Sequence, residues 1–212
     1  MTTDLIEINQ DQPDSAAIQR AAETIRRGGL VALPTDSLYL LVADPFNLAA
    51  VGRVFHAKGR ESSRSLPVLV NNTLMVEDLC PELTKRFQIL ARRFWPGPLT
   101  IIIPASAKIP LKVTGNTGRL AVRQLRSPAA NALIETMGQP LIATSANVSG
   151  SPTCRSGIEV FGTMDGALDL VLDGGTCLGE GATTIDITEP YWRIIREGAI
   201  PEREIAEILK GN

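Results

Sequence analysis

The sequence predicts an α/β protein: a single-domain, twisted mixed sheet with flanking helices. Three observations carry that expectation. Stretches with helical apolar spacing are interleaved with short runs of β-branched and aliphatic residues, and their order is not a simple strand-helix repeat. At 212 residues and 44% hydrophobic content, the chain can bury a substantial core. No internal repeat, low-complexity tract or linker divides it, so one domain over residues 1–212 is expected.

Taken in order, Ser15 to Arg27 places Ala17, Ile18, Ala21, Ala22 and Ile25 on one helical face, with Pro13-Asp14-Ser15 as a start signal and Gly28-Gly29 as a stop. Leu30 to Leu33 reads as a short buried strand that ends at Pro34 and delivers Thr35-Asp36-Ser37 to a strand end, where open α/β sheets bind ligands. Asn47 is placed to cap a helix from Leu48 to Ala57, with Leu48, Val51, Val54 and Phe55 facing inward. Pro67 to Val70 follows as a strand. Leu83 to Phe94 is a helix whose outer face carries Lys85, Arg86, Arg92 and Arg93, read as solvated.

Trp95-Pro96-Gly97-Pro98 breaks that helix, and Leu99 to Ile103 is a strongly β-branched strand. The strand Arg119 to Arg123 buries its apolar middle, and Arg123 is expected to emerge at its end. A helix from Pro128 to Met137 precedes a strand from Pro140 to Ala143, which runs into Thr144-Ser145-Ala146-Asn147-Val148-Ser149-Gly150. Leu168 to Leu172, Thr183 to Ile187 and Trp192 to Arg196 are further strands, with turns at Asp173-Gly174-Gly175 and Glu189-Pro190. Pro201 to Lys210 is the last helix.

Composition excludes several function classes. A formal net charge of −2 and a pI near 5.5 argue against a surface coated for nonspecific nucleic-acid binding, although a local basic cleft is compatible with both. No apolar run reaches the ~20 residues that cross a bilayer, and the first residues lack the order of a signal peptide, so a cytoplasmic protein without a membrane partner is expected. Cys80, Cys154 and Cys177 are few, scattered and read as reduced thiols. With His56 the only histidine, no dedicated metal site is expected, and His56 itself reads as structural.

The stretch from His56 to Val70 drives cations and hydroxyls straight into an apolar strand. Gly59 gives Lys58 and Arg60 freedom to aim at one target, and Arg64 follows two serines, Ser62 and Ser63, that can donate hydrogen bonds. A phosphate or carboxylate suits that cluster, and so does a solvated turn. Lys58 has a second reading as a cation at the C-terminus of its helix, favoured by the helix dipole. The cluster Thr144, Ser145, Asn147 and Ser149 is either a rigidly held set of ligand donors or an Asx turn.

Gly174 to Gly181 matches neither a P-loop nor a dinucleotide fingerprint, and there is no nucleophile elbow. Asp36, Asp173 and Asp186 stand at separate strand ends, as caps do. What recurs at element ends is a cation or a hydroxyl: Thr35, Lys58, Arg60, Arg64, Arg123, Ser145, Asn147 and Arg196. Their convergence would create an anion site with no obvious general base, the profile of phosphoryl or nucleotidyl transfer driven by positioning and charge neutralisation.

Pro34-Thr35-Asp36-Ser37-Leu38-Tyr39, Lys58-Gly59-Arg60, Pro96-Gly97-Pro98-Leu99-Thr100, Ala121-Val122-Arg123, Thr144 to Gly150, Asp173-Gly174-Gly175 and Arg196-Glu197-Gly198 together resemble the ordered motifs of the YrdC-like threonylcarbamoyl-AMP synthase family. The resemblance covers nearly the whole chain and is to the short members, without the extra C-terminal domain of longer ones. It implies a twisted α/β domain with a basic concave cavity that takes L-threonine, bicarbonate and ATP with Mg2+, without a tightly bound cofactor. The products would be pyrophosphate and threonylcarbamoyl-AMP, which feeds the t6A37 modification of tRNA with tRNA-modification proteins as partners. By the same resemblance Lys58, Arg60 and Arg64 would meet the ATP phosphates, with Lys58 and Arg60 catalytic. Asn147 and Arg196 would face the nucleotide, and Thr35, Arg123, Ser145 and Thr183 would hold threonine.

Departures from the family pattern mark where this chain would differ. Leu40-Leu41-Val42 replaces a glycine-containing stretch after Tyr39, which would narrow or reshape the threonine pocket. Glu61 stands in place of a common proline, Leu69 and Ser127 in place of histidines, and Ala182 in place of a serine. Two alternatives therefore stand beside the synthase: a paralogue acting on another carbamate or carbamoyl donor, and a noncatalytic RNA-binding module.

Overall fold

The computed structural model describes residues 2–61 and 63–210. Ser62, one of the two serines read as donors beside Arg64, lies outside them. In chain order the elements are β1 (Asp4–Glu7), α1 (Ser15–Arg26), β2 (Val31–Leu33), β3 (Leu40–Ala43), α2 (Leu48–Lys58), β4 (Val68–Val70), α3 (Thr73–Glu77), α4 (Lys85–Phe94) and β5 (Leu99–Pro104). There follow α5 (Leu111–Thr114), β6 (Arg119–Gln124), α6 (Pro128–Met137), β7 (Leu141–Ser145), α7 (Gly157–Met164), β8 (Leu170–Asp173), β9 (Thr183–Asp186), β10 (Arg193–Arg196) and α8 (Glu202–Leu209).

All the strands join one 10-stranded sheet in the order β1-β8-β2-β3-β7-β4-β6-β5-β9-β10. It is mixed: β1, β8 and β2 are mutually parallel, β3 and β7 reverse direction in turn, and β4-β6 and β5-β9 are parallel pairs. The single mixed sheet with flanking helices is the fold class read from the sequence.

Strand residues alternate between two cores because successive side chains point to opposite faces. Val31, Leu33, Val42, Leu69, Leu141 and Leu170 pack under α1 and α6. Ala32, Leu41, Val68, Ile101, Val122 and Ile185 pack with Val51, Val54 and Phe55 of α2 and with Phe87, Leu90 and Phe94 of α4. The helix ends are closed by the expected chemistry: Asp14 accepts from Ala16 N, Asn47 from Ala49 N and Ala50 N, and Ser127 from Ala130 N.

The structure corrects several expectations. Asp4–Glu7 and Leu40–Ala43 are strands. Leu41 and Val42 therefore do not narrow a pocket; they are fully buried, one in each core, and Leu40 pairs with Ser145 across the sheet. Arg123 does not emerge at the end of β6 but is 6% exposed. Leu48, expected to face inward, is 55% exposed at the first position of α2. Leu69 sits in the core opposite Arg123, and Ser127 is the cap of α6. Nor is the outer face of α4 simply solvated: Arg86 donates to Glu189 O and Pro190 O, and Arg93 pairs with Glu204 of α8. Among the described residues no helix is long and apolar enough to cross a membrane.

Candidate functional site

Helix α2 ends where Gly59 adopts the left-handed conformation, φ 57° and ψ 37°, so that Gly59 N donates to His56 O and Arg60 N to Phe55 O. The glycine closes the helix, and the capping role considered for Lys58 falls away. Lys58 instead turns inward, is 3% exposed, and points its ammonium at the loop after β7. Its Nζ donates to Ser145 O at 2.5 Å, Asn147 O at 2.6 Å, Asn147 Oδ1 at 2.8 Å and Ser145 Oγ at 3.2 Å.

The same loop is tied to itself and back to α2. Ser145 Oγ donates to Asn147 Oδ1 at 2.6 Å, Asn147 Nδ2 donates to Val148 O and Ser151 O, and Ser149 N donates to Lys58 O at 2.8 Å. Lys58, Ser145 and Asn147 thus form one rigid unit. Burial, reinforced by the charge of Arg60, lowers the Lys58 ammonium to about 8, so it stays charged at neutral pH.

Arg60 is a different case. Its Nη2 donates to Ser65 O at 3.2 Å, while its Nε is buried and has no partner among the described residues. A buried polar nitrogen left unpaired is costly unless something outside the chain satisfies it. Burial and the neighbouring charge of Arg64 both push the Arg60 guanidinium below its ordinary value. Arg64 itself is exposed.

The turn after β2 forms a second group. Thr35 Oγ1 donates to Leu38 O at 2.6 Å and accepts from Ser37 N and Leu38 N, which holds Asp36 out of the turn. Asp36 Oδ1, in the turn beyond β2, meets Arg123 Nη2 at 2.8 Å although β3, β7 and β4 lie between β2 and β6 in the sheet. Arg123 Nε donates to Gly97 O at 2.9 Å. Burial pushes the Arg123 guanidinium down, the Asp36 carboxylate opposes that, and the charge of Arg196 adds to the downward push.

Arg196 is exposed and donates through Nη2 to Ala182 O at 3.0 Å. Thr183 departs from its expected role: its hydroxyl donates to Ile200 O at 2.6 Å and accepts from Gly198 N and Ile200 N, and the residue is fully buried. With its one proton already given, it has no donor for a ligand. It fixes the turn that follows Arg196. Ser145 has likewise given its hydroxyl proton, to Asn147 Oδ1, but it is only half-buried, so its oxygen is placed to accept from a ligand.

One hub escaped the sequence reading. The Tyr39 hydroxyl donates within reach of Asp173 Oδ1 at 3.1 Å and Gly175 O at 2.8 Å, and accepts from Gly174 N at 3.0 Å. Burial raises its pKa well above the ordinary tyrosine value. Asp173 Oδ1 also accepts from Gly157 N and Gly175 N, so the carboxylate joins α7 to the loop after β8. That loop then crosses the Thr35 turn: a side chain at Gly179 would collide with Asp36 O, and Arg155 Nη1 holds Cys177 O and Gly179 O at 3.2 and 3.3 Å. Beneath it lies a cavity of about 300 Å3 lined in part by Thr35, Asp36, Arg126, Ser127 and Cys177. Tyr39 and Asp173 both fall within motifs read from the sequence, and that membership was the available signal. Asp186, the third carboxylate noted, is committed to Arg119, Arg193 and Thr188.

The Sua5/YciO/YrdC family model, described as "Telomere recombination", matches residues 23–198. The threonylcarbamoyl-AMP synthase of Pyrococcus abyssi is 38% identical over 193 residues, covering 91% of this chain and 57% of the relative. That of Bacillus subtilis is 33% identical over 209 residues, covering 98% and 59%. The chain thus spans less than two thirds of the length of these two curated relatives. Among solved structures, P. abyssi Sua5 complexed with L-threonine superposes with a TM-score of 0.93 at 36% identity over 98% of this chain and 61% of that one. Escherichia coli YciO superposes with a TM-score of 0.87 at 24% identity, covering 96% and 99%, which bears on the fold alone. The family match across most of the chain, together with these relatives, shows that the chain belongs to the Sua5/YciO/YrdC family.

Proposed function

We propose that this chain is an L-threonylcarbamoyladenylate synthase, folded as one domain over residues 1–212 and acting in the cytoplasm. Threonine and bicarbonate condense to the carbamate with loss of water; a carbamate oxygen then displaces pyrophosphate at the α-phosphorus of MgATP, giving threonylcarbamoyl-AMP. The adenylate supplies the t6A37 modification of tRNA, with tRNA-modification proteins as partners. The relatives named threonylcarbamoyl-AMP synthase, and the solved relative complexed with L-threonine, support this reading.

The observation that carries it is Arg60. Its buried Nε has no partner among the described residues, beside an ammonium that the Ser145–Asn147 loop holds in place. A cation left unsatisfied at that point suits an anionic ligand. Arg60 and Arg64 meet the phosphates and offset repulsion between two anionic reactants, which is the main barrier to their approach. Lys58 adds charge while holding Ser145 and Asn147 in register. Arg196 and Asn147 face the nucleotide. Arg123, Ser145 and the Thr35 turn receive threonine, and Thr183 holds the turn that follows Arg196. Mg2+ enters with ATP, carried by phosphate oxygens and water, since Asp36 is already paired with Arg123. These cations and hydroxyls line the basic cavity of the reading.

A second reading, a paralogue that takes another carbamate or carbamoyl donor, draws on Ala182, which offers no hydroxyl beside the already committed Thr183. The test is incubation with ATP and bicarbonate across a panel of amino acids. Pyrophosphate and adenylate formed with L-threonine support the synthase; none with any amino acid defeats it, and preference for another amine selects the paralogue.

A further inference from the structure

Among the described residues the side chain of Arg60 makes one hydrogen bond, to Ser65 O at 3.2 Å. Where Arg60 points is therefore set by where the Ser65 carbonyl, and with it the Ser65–Leu66 peptide, lies. That peptide rests on a residue far along the chain. The short helix α5 ends at Gly115, φ 61° and ψ 32°, and Leu66 N donates to Val113 O at 2.8 Å, which fastens the end of the cation loop to α5. A Cβ placed on Gly115 would collide with Ser63 O and would stand 2.9 Å from Ser65 N and 3.2 Å from Arg64 C. All three are backbone atoms of the loop, and none is the movable end of a side chain.

We propose that Gly115 is a positioning residue for the phosphate site: the missing side chain lets the Arg64–Ser65 peptide sit low enough that the Ser65 carbonyl following it holds Arg60 at the angle at which it meets ATP. Glycine at this position serves two ends. It supplies the left-handed conformation that closes α5, and it provides close approach to a neighbouring backbone. Only the second bears on Arg60, and the chain contains its own control. Gly118, three residues on, has nearly the same conformation, φ 67°, and a Cβ there meets nothing within 4 Å.

The inference rests on the reading of Arg60 as an ATP ligand, so the experiment measures MgATP binding directly as well as turnover. Gly115→Ala and Gly118→Ala carry a similar cost for an alanine at positive φ, about 1 kcal/mol each. They differ in the collision. MgATP affinity by calorimetry and KM for ATP are expected to weaken about tenfold or more in Gly115→Ala, within the roughly 100-fold that a 1 Å misplacement can cost. Gly118→Ala is expected to match wild type in both, and KM for threonine is expected to hold in both variants. Should Gly115→Ala not fold, Gly115→Asn carries the test, because asparagine tolerates the left-handed region and still brings a Cβ. Equal MgATP affinity in the Gly115 and Gly118 variants overturns the inference and leaves the synthase reading standing. Wild-type protein that binds no MgATP overturns both.

Discussion

The Lys58 ammonium lies 2.6 Å from Asn147 O and 2.8 Å from Asn147 Oδ1, so the last residue of α2 holds a loop 89 residues away at two points. With Ser145 O and Oγ also in reach, three N–H donors are shared among four oxygens. A lysine this fully engaged is part of the fold as well as part of the site.

Lys58→Ala is therefore expected to lose stability together with turnover. It strands buried carbonyls at a cost of about 2–3 kcal/mol, or roughly 5–10 °C in thermal midpoint for a chain of this size. Arg60→Ala, which gives up one bond to Ser65 O, is expected to abolish most turnover and shift stability by about 0.5 kcal/mol or less. Thermal melts and initial rates on the two variants check this pair. Equal midpoints would return Lys58 to the role of a simple ligand.

The depressed Lys58 value makes a pH prediction with a definite sign. Folded, the ammonium titrates near 8; unfolded, near 10.5. Between those values the unfolded chain holds the extra proton, so the contribution of Lys58 to stability rises with pH from about 8 to about 10.5 and is flat below 8. Urea unfolding of wild type across that window is expected to show an upward component that Lys58→Met lacks. Parallel profiles would contradict it.

Asp36 is the counter-charge of a nearly buried arginine, with side-chain exposures of 14% and 8%. Asp36→Asn keeps the shape and removes the charge, so a loss of about 3 kcal/mol is expected. The double variant Asp36→Asn with Arg123→Met removes the stranded charge and is expected to recover much of that loss. Denaturant unfolding of the singles and the double tests it, and strictly additive losses would mean the pair is uncoupled.

Tyr39→Phe removes one oxygen from the hub and leaves Gly174 N without its acceptor. A loss of about 1–2 kcal/mol is expected. The more specific outcome is local: hydrogen exchange should quicken in the loop from Gly174 to Gly179, which Tyr39 and Asp173 anchor, ahead of the central strands. Uniform acceleration across the sheet would argue against a local anchor.

Much of the architecture was legible because the signals are local. Val31–Leu33, Leu99–Pro104 and Leu141–Ser145 are apolar runs that nothing but a covered strand accommodates, and Asp14, Asn47 and Gly138 close their helices through neighbours a few residues away. Other elements gave no such signal. Asp4–Glu7 is too short and too exposed to show a pattern, and α7 carries Gly157 and Gly162 where a helix former would be expected. Leu40-Leu41-Val42 reads as pocket lining because a motif ends there, and only pairing with β2 and β7 places it in β3.

The sequence by itself determined the fold class, the family motifs and the set of cations and hydroxyls that populate the site, because each is written in a few neighbouring residues. Tertiary structure alone decided what those side chains do: Lys58 and Thr183 are spent on internal partners, Arg123 is buried against Asp36, and Arg60 keeps a nitrogen unpaired among the described residues. The physical reason is separation. Asp36 and Arg123 are 87 residues apart, and whether a charge meets a partner across such a distance depends on the order and twist of the strands, which no local pattern encodes.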